Sequence, residues 1–208
     1  MPIWIHCKGY LVRDDNMKPL YMIGCINEIG ERQKADNVSG LLGESGFREY
    51  MNQLDTPLET GYLLRIGIDH FKEINDNFGQ EYGDFVLKKT AECISGCTSE
   101  GQKVYKLVAD EFLILDVSSD EAKDADKLYD KVREAIDRFI ETNEFKVMYT
   151  VSGGIVPFAA LKGNQYSEAL KLTDFALNEA KKLGRNRCYI FNEETYRRFL
   201  RKREIPRN

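Results

Sequence analysis

The stretch Val104–Val117, VYKLVADEFLILDV, sets two β-rich runs on either side of an acidic pair, Asp110-Glu111. Val, Tyr, Leu, Ile and Phe suit a pleated, half-buried surface, so the stretch reads as a hairpin. A charged pair inside an apolar hairpin is costly unless the turn exposes it or it does chemistry. At a hairpin tip the two carboxylates could hold Mg²⁺ together with phosphate oxygens. They also fit a solvated turn, because Asp is a common turn former. Just before them stand Val108 and Ala109, where a site of this kind calls for glycine. The stretch therefore fits both a working acidic site and the remains of one.

The rest of the 208-residue chain is ordinary for a globular protein, with 42% hydrophobic and 31% charged residues, 11 Tyr and 11 Phe. That length supports one good core and a small appendage. The formal net charge of -4 carries no basic footprint for nucleic acid. No apolar run approaches the roughly 18 residues of a membrane span. The start, MPIWIHCKGY, has no charged-then-apolar leader, so a cytoplasmic location is expected. Five cysteines at scattered positions, Cys7, Cys25, Cys93, Cys97 and Cys188, argue against a disulfide framework. His6 and His70 form no zinc-binding pair.

Residues 3–12 and 19–27 read as two strands joined by the turn cluster RDDNMKP, and the polar EIGERQKADN that follows is helix-prone. From residue 44 the periodicity predicts a short helix, then a strongly apolar strand, GYLLRIGID. Helical turns in HFKEINDNFG come next, then a helix in EYGDFVLKKTAECISG with Phe85, Leu87, Ala91 and Ile94 inward. After the hairpin a long helix carries an apolar stripe of Leu128, Val132, Ala135, Ile136, Phe139 and Ile140, with Ser119 as its N-cap. A strand over 145–158 follows, and its Gly153-Gly154 suggests a bulge or bend. The remainder predicts a helix closed by Gly184, a short strand, NRCYIFNE, and a basic amphipathic tail. This order predicts an α+β fold with a mixed or antiparallel sheet and helices mostly on one face.

Two further groups could carry chemistry. GIDHFKEINDNFGQEYGD delivers Asp69 past a strand end, then Lys72, Asn75, Asp76 and Asp84. An amide and a carboxylate suit a guanine edge, and a lysine suits a phosphate. The same residues also fit a polar helix surface. EAKKLGRNR clusters Lys181, Lys182, Arg185 and Arg187 at a helix end. That is either favourable charge at the helix dipole or a phosphate clamp.

Taken in order, these segments resemble the GGDEF domains, the catalytic units of diguanylate cyclases. DNVSGLLGESGF is similar to the family's D-x-L-T-G-L-x-N-R-x-x-F opening, and LLRIGIDHFKEINDNFGQEYGD to its L-x-x-I-D-I-D-H-F-K-x-I-N-D-x-x-G-H-x-x-G-D. YKLVADEFLIL stands where Y-R-x-G-G-D-E-F would be. YTVSGGI resembles T-x-S-x-G, and TDFALNEAKKLGRNR resembles A-D-x-A-L-Y-x-A-K-x-x-G-R-N. The resemblance implies a mixed sheet flanked by helices, like adenylyl cyclases and polymerase palms. It also implies a reaction in which two GTP-loaded domains meet and form cyclic di-GMP, with Mg²⁺ as cofactor. It places Asn75 and Asp84 at guanine-reading positions and Lys72, Lys181 and Arg185 at phosphate contacts. Asp110 becomes a metal ligand and Glu111 the catalytic acid of the signature. Asp69 matches a second strand-end aspartate and is the remaining candidate to help Asp110 with metal.

Other positions depart from the family. Its first strand-end aspartate, a metal ligand, is Gly67 here, which weakens any Mg²⁺ site. The signature glycines are Val108 and Ala109, and a non-glycine residue forced to positive φ costs about 1–3 kcal/mol. A different turn shape is therefore expected. The arginine before the signature is Lys106, the opening N-R is Gly43-Glu44, and the inhibitory R-x-x-D would fall at Ser99–Gln102 without either charge.

Residues 1–27 resemble the last strands of a PAS sensor, with a linker helix over 28–36, a GGDEF domain over 37–192 and a linker tail over 193–208 that resembles the lead into an EAL domain. Three readings stay open. The favoured one is a GGDEF module with a degenerate signature, regulatory, a possible homodimer, and still able to bind GTP. The second is an active diguanylate cyclase with a divergent signature. The third is a spacer that binds no nucleotide.

Overall fold

The computed structural model describes residues 4–14, 17–29, 35–54, 58–119, 122–142, 147–162 and 166–204. Its contacts divide the chain into two units between Ala35 and Asp36. The first is a two-stranded antiparallel hairpin, β1 (Trp4–Arg13) and β2 (Pro19–Ile29), paired from Trp4↔Ile29 to Arg13↔Pro19. Asp14 closes its turn, accepting the Lys18 amide on Oδ1 at 2.8 Å, the local bonding that makes Asp a turn former. β2 runs two residues further than the sequence suggests, so Glu28 and Ile29 are strand. Of the rest of the expected linker helix, residues 30–34 lie outside the described residues, and Ala35 and Asp36 are not helical.

The second unit is built on a six-stranded sheet. Its strands are β3 (Leu42–Gly43), β4 (Tyr62–Ile68), β5 (Gln102–Lys106), β6 (Glu111–Asp116), β7 (Val151–Pro157) and β8 (Cys188–Ile190), in the spatial order β3-β5-β6-β4-β7-β8. β5, β6, β4 and β7 are antiparallel neighbours, while β3 runs parallel to β5 and β8 parallel to β7. The helices are α1 (Glu44–Asn52), α2 (Phe71–Phe78), α3 (Gln80–Cys97), α4 (Ala122–Thr142), α5 (Tyr166–Lys182) and α6 (Glu193–Glu204). The two-residue β3 is too short to leave a periodic signal in the sequence.

β4 is central and buried on both faces, which explains its nearly continuous apolar run. Tyr62, Leu64, Ile66 and Ile68 point to a core shared with α2, α3 and α4. Leu63 points to a second core with α1 and α5. Helices thus cover both faces of the sheet. The expectation of one covered face fails because it came from helix order, and helix order does not say on which side each crossover lands.

Two local expectations also change. Phe85 is 41% exposed, because the inward stripe of α3 runs through Gly83, Val86, Leu87, Thr90, Ala91 and Ile94. Gly153 and Gly154 form no bulge: β7 keeps an unbroken register with β4. Their lack of a side chain serves close approach instead. A Cβ on Gly153 would sit 2.8 Å from both the Cys188 Sγ and the Tyr129 ring, and one on Gly154 would sit 2.3 Å from the Leu177 amide nitrogen.

α5 ends in a Schellman turn. The Arg185 amide donates to the Ala180 carbonyl and the Gly184 amide to the Lys181 carbonyl, with Gly184 at φ +116°. α6 packs on α5 through an aromatic cluster in which the Phe175 ring lies 4.9 Å from Tyr196 and 5.1 Å from Phe199.

The end of β6 is tied by Asp116, which is fully buried and accepts Gln102, Ser118 and Ser119 donors. The hydroxyl of Ser119 is thus engaged with Asp116, and residues 120 and 121, where it would cap α4, lie outside the described residues. Burial alone would raise the Asp116 pKa, but these hydrogen bonds outweigh it and hold the carboxyl at about 2. A depressed carboxylate stabilises the fold above its unfolded pKa, and that stabilisation is lost as pH falls through the folded value. Acid titration followed by circular dichroism is therefore expected to show stability falling between about pH 4 and pH 2. Asp116→Asn is expected to be less stable at pH 7 and to show a shallower acid dependence in that window.

Candidate functional site

The antiparallel register sets Gly67 of β4 opposite Glu111, the first residue of β6. Because side chains alternate, Gly67 shares its face with Arg65 and with the α5 side of the sheet. That face carries an ion cluster. The Arg65 Nε donates to the Glu111 Oε2 at 2.7 Å, and a second guanidinium nitrogen bonds the same oxygen. The remaining nitrogen donates to the Leu170 carbonyl at 3.2 Å. Asp174 lies 3.6 Å from Arg65, and the Lys181 ammonium lies 3.9 Å from the other Glu111 oxygen. Leu170, Asp174, Leu177 and Lys181 recur at helical spacing, so one stripe of α5 supplies this wall. The Arg65 and Glu111 side chains are only 12% and 18% exposed.

The hairpin tip keeps a glycine-like backbone without glycine. Ala109 lies at φ +55°, in the left-handed region, so the expected change of turn shape does not occur there. An L-residue in that conformation costs about 1–2 kcal/mol. Lys106 holds the turn: its buried ammonium donates to the Leu107 carbonyl at 3.0 Å and to the Ala109 carbonyl. Burial lowers the Lys106 pKa, opposed by Asp36, Asp110 and Glu111. Val108 is 69% exposed and points to solvent. Asp110 is partly buried. Burial raises its pKa, and Lys181 and Lys106 work against that rise.

Asp69, the other candidate for a metal, is engaged by the fold itself. It is 2% exposed and accepts the Thr150 hydroxyl at 2.7 Å, the Ser152 hydroxyl at 2.7 Å and the Asn186 amide at 3.1 Å. Its carboxylate latches β4 to β7 and to the turn after α5, so its lone pairs already serve the fold.

Of the nucleotide candidates, Asn75 on α2 and Asp84 on α3 are half-buried, and Lys72 and Arg185 are exposed. A Cβ on Gly83 would fall 1.8 Å from the Asn75 Oδ1, so glycine there lets α2 and α3 close on each other. That Asn75 oxygen is buried and has no hydrogen-bond partner among the described residues. Lys181 alone of this group joins the Glu111 cluster. Among the described residues, no group of three or more His, Cys, Asp or Glu is arranged to hold a metal ion.

Arg65 is the participant that sequence reasoning missed. It is the one charge in the run YLLRIGI, and a lone arginine in a buried strand needs an anionic partner. The sequence does not say which anion, since Glu111 is 46 residues away.

The family described as "Diguanylate cyclase, GGDEF domain" matches residues 34–187. Among relatives, diguanylate cyclase DgcZ of Escherichia coli (strain K12) is 29% identical over 167 residues, covering 78% of this chain and 55% of that protein. The cyclic di-GMP phosphodiesterase NbdA of Pseudomonas aeruginosa is 29% identical over 164 residues, covering 76% of this chain and 21% of that one. The chain thus spans about half the length of the first and a fifth of the second. In structure, the GGDEF domain of PA1120 (TpbB or YfiN) from Pseudomonas aeruginosa is 23% identical with a TM-score of 0.67, over 80% of this chain and 99% of that domain. The six-stranded mixed sheet covered on both faces is thus an arrangement this chain shares with solved GGDEF domains. With about three quarters of its residues inside the family match, the chain belongs to the GGDEF domain family of diguanylate cyclases.

Proposed function

We propose that this domain is a regulatory module of cyclic di-GMP signalling that binds GTP and has lost the condensation of two GTP molecules. The observation that carries the proposal is the state of Glu111, bonded twice to Arg65 and faced by Lys181, opposite a glycine that supplies no carboxylate. An acid held in a largely screened ion pair, bonded twice to one guanidinium, is not free to take a proton from an attacking hydroxyl. The nucleotide side of the reading is supported by Asn75 on α2 and Asp84 on α3, half-buried residues at the close approach around Gly83. Lys72, Lys181 and Arg185 would meet phosphates, and Asp84 would accept from the guanine edge.

The hairpin of residues 4–29 we take as the end of a PAS-like sensor, and α6 as the lead toward an EAL-type output domain in the full-length protein. Dimerisation and a cytoplasmic location, where GTP is available, belong to the same proposal. No described helix is long and apolar enough to cross a membrane.

The second reading, an active cyclase, has one observation in its favour: the signature turn keeps its left-handed residue at Ala109. Incubation with GTP and Mg²⁺ or Mn²⁺, followed by chromatography of the products, separates the two. We expect no cyclic di-GMP above the protein-free control, and sustained turnover sinks the proposal. Calorimetric titration with GTP is expected to give saturable binding in the micromolar range that Asp84→Ala abolishes, about 8 kcal/mol of binding free energy. A flat titration would favour the spacer reading.

A further inference from the structure

We infer that the Arg65 guanidinium occupies the place of a divalent cation at Glu111, so that the site is neutralised from within and takes up neither Mg²⁺ nor Mn²⁺. The inference rests on the reading of this face as the former reaction centre. It does not require that GTP still binds.

The donor set is tested first. A magnesium-type cation needs several oxygen ligands in near-octahedral order, anchored by one or two carboxylates. Gly67 offers none, and the space a side chain would fill there is bounded by Lys181: a Cβ would sit 3.1 Å from its ammonium and 3.2 Å from Leu177. Asp69 is held by three hydrogen bonds in the latch. Glu111 has one oxygen doubly bonded to Arg65 and the other 3.9 Å from Lys181. Asp110 and Asp174 are the carboxylates left: Lys106 and Lys181 act on the first electrostatically, and the second stands 3.6 Å from Arg65 and accepts the Asn178 amide. The residues present do not fit the metal.

Charge placement gives the same answer from the other side. A divalent ion touching Glu111 would also lie within a few ångströms of two cations, Arg65 and Lys181. Like charges at that range repel strongly where water is scarce. Arg65 cannot leave cheaply, because its third nitrogen is fixed on the Leu170 carbonyl and Asp174 lies 3.6 Å from one of the nitrogens that bond Glu111. A guanidinium presents its donors in a rigid fork, so it fills the role of fixed counter-ion where a metal would be exchangeable. Gly67 and Arg65 are thus complementary: the strand lacks an anion where the family pattern has one and carries a cation on the same face, two residues earlier.

The consequence for a ligand is direct. Any phosphate bound at this face meets side-chain cations rather than a metal bridge, and its binding is indifferent to chelators.

The test uses the full 208-residue chain. Manganese uptake is followed by the loss of the free Mn²⁺ electron paramagnetic resonance signal, in wild type, Glu111→Gln, Gly67→Asp and Arg65→Met/Gly67→Asp. The expected result is no saturable uptake in wild type and none in Gly67→Asp. The double variant, which restores an anion and removes the blocking cation, is expected to bind at least about tenfold more tightly than either. Saturable uptake by wild type that disappears in Glu111→Gln overturns the inference, as does recovery in Gly67→Asp alone. Should the double variant fail to fold, the wild-type and Glu111→Gln titrations still decide. In parallel, GTP calorimetry is run with Mg²⁺ and with EDTA. Affinities within about threefold of each other support the inference, and binding only with Mg²⁺ overturns it. No binding in either arm sinks the nucleotide reading and leaves the manganese titration to decide.

Discussion

Truncating Glu111 to alanine is expected to lower the stability of the domain by about 3 kcal/mol, a fall in Tm of roughly 6–12 °C for a chain of this size. The cause is Arg65, which would be left largely buried with only the Leu170 carbonyl and a more distant, half-exposed Asp174 as partners. Breaking a buried pair from one side strands a charge, whereas replacing both members by apolar groups is often neutral. Arg65→Met/Glu111→Leu is accordingly expected to lie within about 1 kcal/mol of wild type, and a double-mutant cycle in urea checks both statements. A poised catalytic acid behaves in the opposite sense, since working sites commonly gain stability when their charges are removed. If Glu111→Ala lowers the stability by less than about 0.5 kcal/mol, the ion cluster does not hold the fold together.

Gly154→Ala is expected to be the more damaging change. The added Cβ would lie 2.3 Å from the Leu177 amide nitrogen and 2.7 Å from the Ala176 carbonyl carbon, both backbone atoms of α5. No rotamer change relieves a clash with backbone, so α5 would have to lift from the sheet. Its buried residues Ala169, Leu172 and Ala176 and the whole Arg65 cluster would shift with it. A loss of more than about 4 kcal/mol is expected, seen as insoluble expression or a lost cooperative transition. Gly96→Ala is the matched control. It lies in α3 with nothing within 4 Å of the new Cβ, and a gain of up to about 1 kcal/mol is expected from helix propensity.

These two sites show what a linear reading can and cannot reach. The hairpin, the central strand, the stripe on α4 and the Gly184 helix stop follow from periodicity and turn chemistry, which are local. The pairing of Arg65 with Glu111 depends on register, and register is fixed by the sheet as a whole. Asp69 looked available because it follows a strand end. Its three donors come from residues 81, 83 and 117 positions further along the chain, which no spacing rule connects. The glycine pair in β7 suggested a kink because isolated strand glycines often mark one. The other use of glycine, letting a helix or ring approach, is visible only once the layers are stacked. At Val108-Ala109 the sequence showed that glycine was missing, and the structure shows that Ala109 nonetheless adopts the left-handed backbone.

The left-handed residue at Ala109 bears on reversibility. The signature turn already holds a left-handed residue in the absence of glycine. Returning Ala109 to glycine would require no rerouting of the loop and would relieve a backbone strain that Lys106 now offsets. What separates this domain from a metal-using relative, on the reading proposed here, is a substitution of charge on one strand rather than a deformation of the fold. On that reading the scaffold can be refitted for a ligand without first being rebuilt.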